Sequence, residues 1–279
     1  MKLFRTLPAL LAFSLFYLSS CKKEAGSNDP DGNNGGNNNN NASCNNTVMK
    51  LKKWQALFNP DHYNELEWNS NGSIKMIKMN VPLSEYRSAT YLYENDRIKE
   101  AVLRTSYNNE IYDTVIFHYN GAGKVDSMYL KNDNYFNIKL TYTGGKITKY
   151  TRYANTVPMI YWDIETDAKD NITKAVEWWD LGSGFEKQST MTFTRDDRKN
   201  PFAGLAPYMF YLDDDYNIFW YWGPNNYTNQ NYLDHTGSGI NLNTGFKFKY
   251  NDNCYPATSQ NTIEGSILFT DDDFQFTYY

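Results

Sequence analysis

The residue types that most often carry chemistry are few and scattered. His62, His118 and His235 stand far apart, none at metal-ligand spacing from another. No Gly-x-Ser-x-Gly elbow, Walker loop or dinucleotide fingerprint occurs. Gly121-Ala122-Gly123-Lys124 has a phosphate-loop look, but alternating strands flank it where such a loop needs a helix, so it reads as a hairpin turn. Asp213, Asp215 and Asn217 follow the Asp-x-Asp-x-Asn alternation that opens a calcium loop. The Gly at the sixth position and the later bidentate Glu are missing, so an acidic turn is the simpler reading. Glycoside hydrolysis needs two carboxylates roughly 5–9 Å apart across a cleft. Glu65 with Glu67, and Glu165 with Glu177, qualify by residue type alone. The expectation is no enzyme, no cofactor and no metal.

Aromatic density stands out instead. The chain has 24 Tyr, 7 Trp and 16 Phe in 279 residues. Phe219-Trp220-Tyr221-Trp222-Gly223-Pro224, then Tyr227 and Tyr232, lie among Asn and Gln, and Trp178-Trp179 forms a pair. Alternation can bury only one of that pair against a single core. Flat aromatic faces beside amides stack on sugar rings or anchor protein interfaces. The same residues could equally cap the end of a core or an open sheet edge. Trp178, Trp179, Trp220, Tyr221, Trp222, Tyr227 and Tyr232 are the ligand-binding candidates.

These residues need elements to hold them. ELEWNSNGSIKMIKM (65–79), TYLYENDRIKEAVLR (90–104), IFHYNGAGKVDSMYLK (116–131), KLTYTGGKITKYTRY (139–153) and YWDIETDAKDNITKAVEW (161–178) share one pattern. Each is an alternating strand with an aromatic or β-branched end, a polar turn, and a second alternating strand. Aligned on Trp68, Tyr93, Tyr119, Tyr142 and Ile164, they recur every 22–26 residues, the mark of a repeated supersecondary unit. Period-2 alternation argues for antiparallel sheet, and Gly, Asn and Asp at the tips supply positive φ. Val115, Phe117 and Tyr119 share a face opposite Ile116 and His118, which suggests a strand covered on both sides. Pro201 interrupts a weaker repeat near residue 200. The fold expected is all-β: a curved or rolled antiparallel meander of 14–16 strands, with a short helix or loop insertion at about 202–244. A membrane-spanning barrel is the less favoured alternative, since many strands are short and carry Lys.

The N-terminus reads as an export leader. Lys2 and Arg5 precede the apolar run Leu7–Leu18, which is too short to span a bilayer. The run ends in Leu18-Ser19-Ser20-Cys21, which resembles a bacterial lipobox. That resemblance implies cleavage before Cys21 and its acylation, leaving a membrane anchor. Residues 21–43 are almost devoid of apolar side chains and should form a disordered tether with a span of about 25 Å. The domains expected are a leader over 1–20, the lipidated Cys and linker over 21–43, and one β domain over 44–279. The formal charge is −5, and losing Lys2 and Arg5 leaves 25 basic against 32 acidic residues. That balance argues against nucleic acid. Cys44 and Cys254 either pair or remain thiols, since spacing alone does not fix their separation.

The Aromatic-x-Tyr-Asn/Asp-x-x-Gly-Lys-apolar units resemble the tyrosine–aspartate repeats of Rhs-type proteins. The whole chain resembles a family of uncharacterised Bacteroidota lipoproteins built of such hairpins. Its later marks match Asn200-Pro201-Phe202-Ala203-Gly204 and Tyr250-Asn251-Asp252-Asn253-Cys254-Tyr255-Pro256. The resemblance implies an outer-membrane lipoprotein, on the cell surface or the periplasmic face, and no transferable catalytic residue. Asp113-Thr114-Val115 and Asp126-Ser127-Met128 resemble the Bacteroidota O-glycosylation motif, which nominates Thr114 and Ser127. The function expected is a lipid-anchored binding or scaffold module contacting polysaccharide or another envelope protein.

Overall fold

The computed structural model describes residues 47–57, 59–80, 86–105, 108–133, 136–212, 217–239, 241–264 and 273–279, all within one compact unit, Cys44–Tyr279. The expected leader (1–20), the linker (21–43), Cys21, Cys44, Asp213 and Asp215 lie outside the described residues. The strands are β1 (Leu51–Ala56), β2 (Tyr63–Trp68), β3 (Ile74–Asn80), β4 (Tyr86–Glu94), β5 (Arg97–Thr105), β6 (Ile111–Tyr119), β7 (Val125–Leu130) and β8 (Phe136–Thr143). There follow β9 (Lys146–Ala154), β10 (Val157–Thr166), β11 (Ile172–Asp180), β12 (Phe185–Lys199), β13 (Asn225–Asp234), β14 (Asn241–Tyr250), β15 (Pro256–Glu264) and β16 (Phe274–Tyr278). Each strand pairs antiparallel with its sequence neighbour. β1 pairs with β16, Trp54 opposite Phe276, and the sheet closes into a barrel. Closure removes both edges, which a long open meander would leave exposed.

Alternation separates lumen from outer wall. In β8, Ile138 and Leu140 are buried inward while Lys139 and Thr141 are exposed. In β6, Val115 and Phe117 point inward; His118 is exposed on the wall, stacked on Tyr129 at 5.4 Å. The outer face of β6 is therefore wall and not a second core. The wall carries ion pairs such as Lys149–Asp163 (3.2 Å) and Lys174–Glu165 (2.8 Å), and the Thr190, Thr192, Thr194 row.

The repeat has a mechanical basis at the rim where β2–β3, β4–β5, β6–β7, β8–β9 and β10–β11 turn. Pairing between units stops short of it: β1–β2 ends at Lys53–Glu65, β5–β6 at Glu100–Ile116, β7–β8 at Ser127–Lys139. Beyond these pairs the strands splay, and an aromatic ring fills the wedge. Its donor meets the carbonyl of the preceding strand's first apolar residue: Trp68 to Leu51 (2.8 Å), Tyr93 to Ile74 (2.7 Å), Tyr119 to Ile98 (2.8 Å), Tyr142 to Val125 (2.9 Å) and Tyr278 to Pro256 (2.7 Å). A cation just ahead of that carbonyl lies over the ring: Lys50 over Trp68 (5.5 Å), Arg97 over Tyr119 (5.3 Å), Lys124 over Tyr142 (5.3 Å). This geometry explains why cation-apolar follows the turn. Burial pushes the Tyr142 hydroxyl up to about 12.

The turns repeat as well. Asn120 Oδ1 accepts the N–H groups of Ala122 and Lys124, and Asp167 Oδ1 those of Lys169 and Asn171. Gly123 (φ +76) and Asp170 (φ +67) take the left-handed position. These matches correct one alignment. Trp68, Tyr93, Tyr119 and Tyr142 each sit at a register shift opposite the next strand's first apolar residue, and Thr166, not Ile164, does so opposite Ile172.

A test follows at Tyr119. Tyr119→Phe removes one hydrogen bond and is expected to cost about 1 kcal/mol, or ~2–4 °C in the thermal midpoint. Tyr119→Ala also empties the wedge and is expected to cost roughly 3 kcal/mol or more. Equal midpoints for the two variants would show that the ring contributes nothing.

Residues 200–224, between β12 and β13, form the insertion. It holds α1 (Ala206–Met209) and a 3-10 helix over Asn217–Tyr221. The helical part falls inside the expected 202–244, but strand resumes at Asn225. Leu205, Met209, Phe210, Leu212, Phe219 and Tyr221 belong to the same buried core as the strand residues. Phe210 packs on Tyr150 (5.2 Å) and Phe219 on Phe193 (5.7 Å). Tyr91 donates to the Tyr208 carbonyl (2.7 Å), and Tyr211 reaches the Met128 and Phe136 carbonyls (3.2 and 3.0 Å). The insertion is a plug in the apolar lumen.

Candidate functional site at the turn rim

The plug is fixed at its exit by a cluster of polar groups. Arg195 of β12 donates to the carbonyls of Phe219 (3.2 Å), Asn225 (3.0 Å) and Ile172 (3.3 Å). Burial lowers its guanidinium to about 10, still protonated at neutral pH. Asn200 Nδ2 holds the Trp220 and Gly223 carbonyls (3.0 and 2.9 Å). Asn171 and Asn225 exchange two bonds, 3.0 and 3.1 Å. Gly223 takes φ +91, and a Cβ there would lie 2.9 Å from Asn171 Cα, so the chain passes only as glycine.

The aromatic candidates divide by position. Tyr221 and Tyr227 are 3% and 5% exposed, so neighbours already occupy their faces. Tyr221 packs on Phe202 (5.3 Å) and Tyr227 on Phe246 (4.8 Å). Trp220 is half-buried against Tyr227 (5.2 Å), and Tyr232 is half-buried on the core. Alternation puts Trp179 inward, donating to Glu177 (2.8 Å), and Trp178 outward. Trp178 stacks on Tyr161 (5.9 Å), which meets Phe185 (4.8 Å) and lies under the Lys149 ammonium (3.9 Å). This outer-wall cluster draws on β9 to β12, and adding Tyr161 and Phe185 needed the cross-strand register.

Trp222, half-buried, lines a cavity of ≈ 240 Å³ at the turn rim. The hairpin tips supply Lys124, Tyr142, Gly145, Lys146, Ile147, Thr166 and Asp170; the plug supplies Gly204, Ala206, Pro207, Tyr221, Trp222 and Gly223. Lys124 bonds the Gly145 carbonyl. Lys146 bonds the Asp167 carbonyl and pairs with Asp170 (3.1 Å). Each ammonium has three donors, so capacity remains. Of its lining, Tyr221 and Trp222 are sequence candidates and Lys124 ends the Gly121–Lys124 turn, while nothing in the sequence marks Lys146, Ile147 or Thr166 as site residues.

The nominated carboxylate pairs do not face each other across a cleft. Glu67 is engaged by Lys75 and Lys78, and the Lys78 hydrogen bond holds its carboxyl below the usual range. Glu165 lies on the wall with Lys174, while Glu177 is buried inward with Trp179 and Ser189 (2.7 Å). His235 bonds Thr190 (2.9 Å) and His62 bonds Asn59 (2.8 Å). Among the described residues no group of three His, Cys, Asp or Glu is placed to hold a metal ion. Asn217 begins the 3-10 helix. Cys254 (φ +62) is buried in the β14–β15 turn, disulfide-bonded, with Arg198 Nη1 2.9 Å from its sulfur. Thr114 and Ser127 are half-buried wall residues of β6 and β7.

No family model matches the chain, and no curated protein matches it. Among solved structures it is similar to a porin-like protein from Bacteroides uniformis, with 10% identity and a TM-score of 0.52, covering 83% of this chain and 96% of that one. A porin-like protein from Bacteroides vulgatus aligns at 11% identity with a TM-score of 0.44, over 83% and 99%. The first likeness is one of fold, an antiparallel β-barrel, and it agrees with the closure seen here.

Proposed function

We propose that this chain is an exported, lipid-anchored envelope protein whose plugged barrel serves as a binding module for glycan. The observation that carries this reading is the filled lumen. Among the described residues, apolar side chains of the plug pack into the lumen, and charged side chains such as Lys149, Asp163, Lys174 and Glu165 stand on the wall where a spanning barrel needs an outward apolar band. Function then falls to the surface. The leader-like N-terminus with Cys21 supports export and anchoring, and Cys44 is the proposed disulfide partner of Cys254. The Tyr161–Trp178–Phe185 cluster, beside Lys149 and Asp163, is the surface best suited to stack sugar rings.

The full chain is expected to be retarded in affinity gels containing the cognate envelope or host polysaccharide. Trp178→Ala should weaken retention about tenfold, equivalent to about 1.4 kcal/mol. Unaltered mobility across a broad polysaccharide panel would remove the glycan reading. In planar bilayers the chain should pass no current, and stepwise conductance would overturn the plugged-module reading.

A second reading, assembly with another envelope protein, is favoured by the opposite rim. Ile111, Val157, Leu181, Leu233 and Leu242 are exposed there, an apolar collar of the kind that marks protein contacts.

A further inference from the structure

We propose that the rim cavity receives an aromatic ring with a hydrogen-bond donor on its edge, the chemistry of a phenol, in the place where the fifth repeat lacks its own tyrosine. The argument comes from the other repeats. At this rim the first apolar residue of an odd strand presents a carbonyl beside a splayed wedge. Leu51, Ile74, Ile98, Val125 and Pro256 are each met by an aromatic donor, Trp68, Tyr93, Tyr119, Tyr142 and Tyr278. Where the pattern changes, Arg195 serves instead, reaching both Ile172 and Asn225. That leaves Ile147, the first apolar residue of β9. Pairing of β9 with β10 ends at Lys149–Asp163, so the splay is present as elsewhere.

The residue in the aromatic position is Thr166, whose side chain is too short to cross the wedge. The cavity of ≈ 240 Å³ lies there, with Ile147 and Thr166 in its lining. The remaining parts of the repeat are in place. Lys146 corresponds to Lys50, Arg97 and Lys124, each of which stands 5.3–5.5 Å from an aromatic centroid. Lys146 is anchored by Asp170 and the Asp167 carbonyl, and it lines the cavity. Trp222 and Pro207 of the plug add apolar surface. The site therefore combines a cation for a ring face, a carbonyl for an edge donor, and apolar walls. A pyranose lacks the π-face that an ammonium favours. The phenol could be a free small molecule or a tyrosyl side chain from a partner polypeptide.

The test uses the purified full chain with p-cresol, toluene, N-acetyltyrosinamide and glucose as probes, read by tryptophan fluorescence and thermal shift. p-Cresol should bind saturably, with a Kd on the order of millimolar, and toluene at least tenfold more weakly. N-acetyltyrosinamide binding as well as p-cresol identifies a side-chain source, whereas p-cresol alone identifies a free phenol. Thr166→Tyr should raise the midpoint and abolish p-cresol binding. Thr166→Phe should fill the wedge with a smaller gain. Equal binding of toluene, preference for glucose, or absence of p-cresol and N-acetyltyrosinamide binding each overturns the proposal. So does p-cresol binding that survives in a folded Thr166→Tyr protein.

Discussion

Replacing residues 201–223 with a short Gly-Ser linker is expected to abolish cooperative folding, leaving a product that binds hydrophobic dye and melts without a sharp transition. The deletion also removes the cost of ordering the insertion, so the outcome depends on what the insertion covers. Tyr91, Tyr150, Trp162 and Phe193 line the lumen and are buried partly by Tyr208, Phe210 and Phe219. Each large side chain returned to water costs roughly 1.5–3 kcal/mol, so four cost on the order of 10 kcal/mol. A domain's whole stability is about 5–15 kcal/mol. A plug that serves as core cannot be removed without loss of the fold. A lid over an independently stable barrel could be removed with the midpoint unchanged. Near-UV circular dichroism and a calorimetric melt distinguish the two.

The sequence was most legible where the physics is local. Alternation in stretches such as NIKLTYT placed Ile138 and Leu140 inward and Lys139 outward, and the Asn and Gly turn residues marked the hairpins. Closure was not legible, because nothing in LKKWQA or FQFTY announces that β1 pairs with β16; it depends on accumulated curvature over the whole meander. Thr166 was hidden for a related reason. Sequence spacing put Ile164 in the aromatic position, but a register shift at Glu165/Thr166 moves the equivalence two residues along. The aromatic insertion was conspicuous in the sequence, yet composition alone could not separate a sugar platform from a core plug. Burial of Tyr221 and Phe219 reflects the lumen they fill, which exists only once the sheet has closed. Arg195 attracted no notice in sequence, since one arginine in FTRDDRK looks like any wall charge.

Arg195→Met is expected to lower stability by about 3–5 kcal/mol, the cost of breaking a buried polar junction by removing one partner. At ~2–4 °C per kcal/mol for a chain of this size, the midpoint should fall by about 10 °C. The guanidinium satisfies three carbonyls on three segments, Ile172 of β11, Phe219 of the plug and Asn225 of β13. Methionine fills similar volume but donates nothing, so all three oxygens lose a partner, and losing such a bond costs about 1–3 kcal/mol each. Removing a desolvated charge offsets part of that sum. Arg195→Lys should recover little, because one ammonium cannot span the fork from Nε to both terminal nitrogens. The deficit should be flat with pH. Burial brings the folded guanidinium to about 10, below its unfolded value, so from pH 5 to 9 it is protonated in both states and no proton is exchanged on unfolding. A deficit that grew or shrank across that window would assign the effect to another titrating group, such as Asp196, whose carboxyl burial pushes up. Hydrogen exchange gives the local readout. Exchange over 217–225 should accelerate more in Arg195→Met than exchange in β4–β7, because the lost bonds hold the plug exit and not the repeat array.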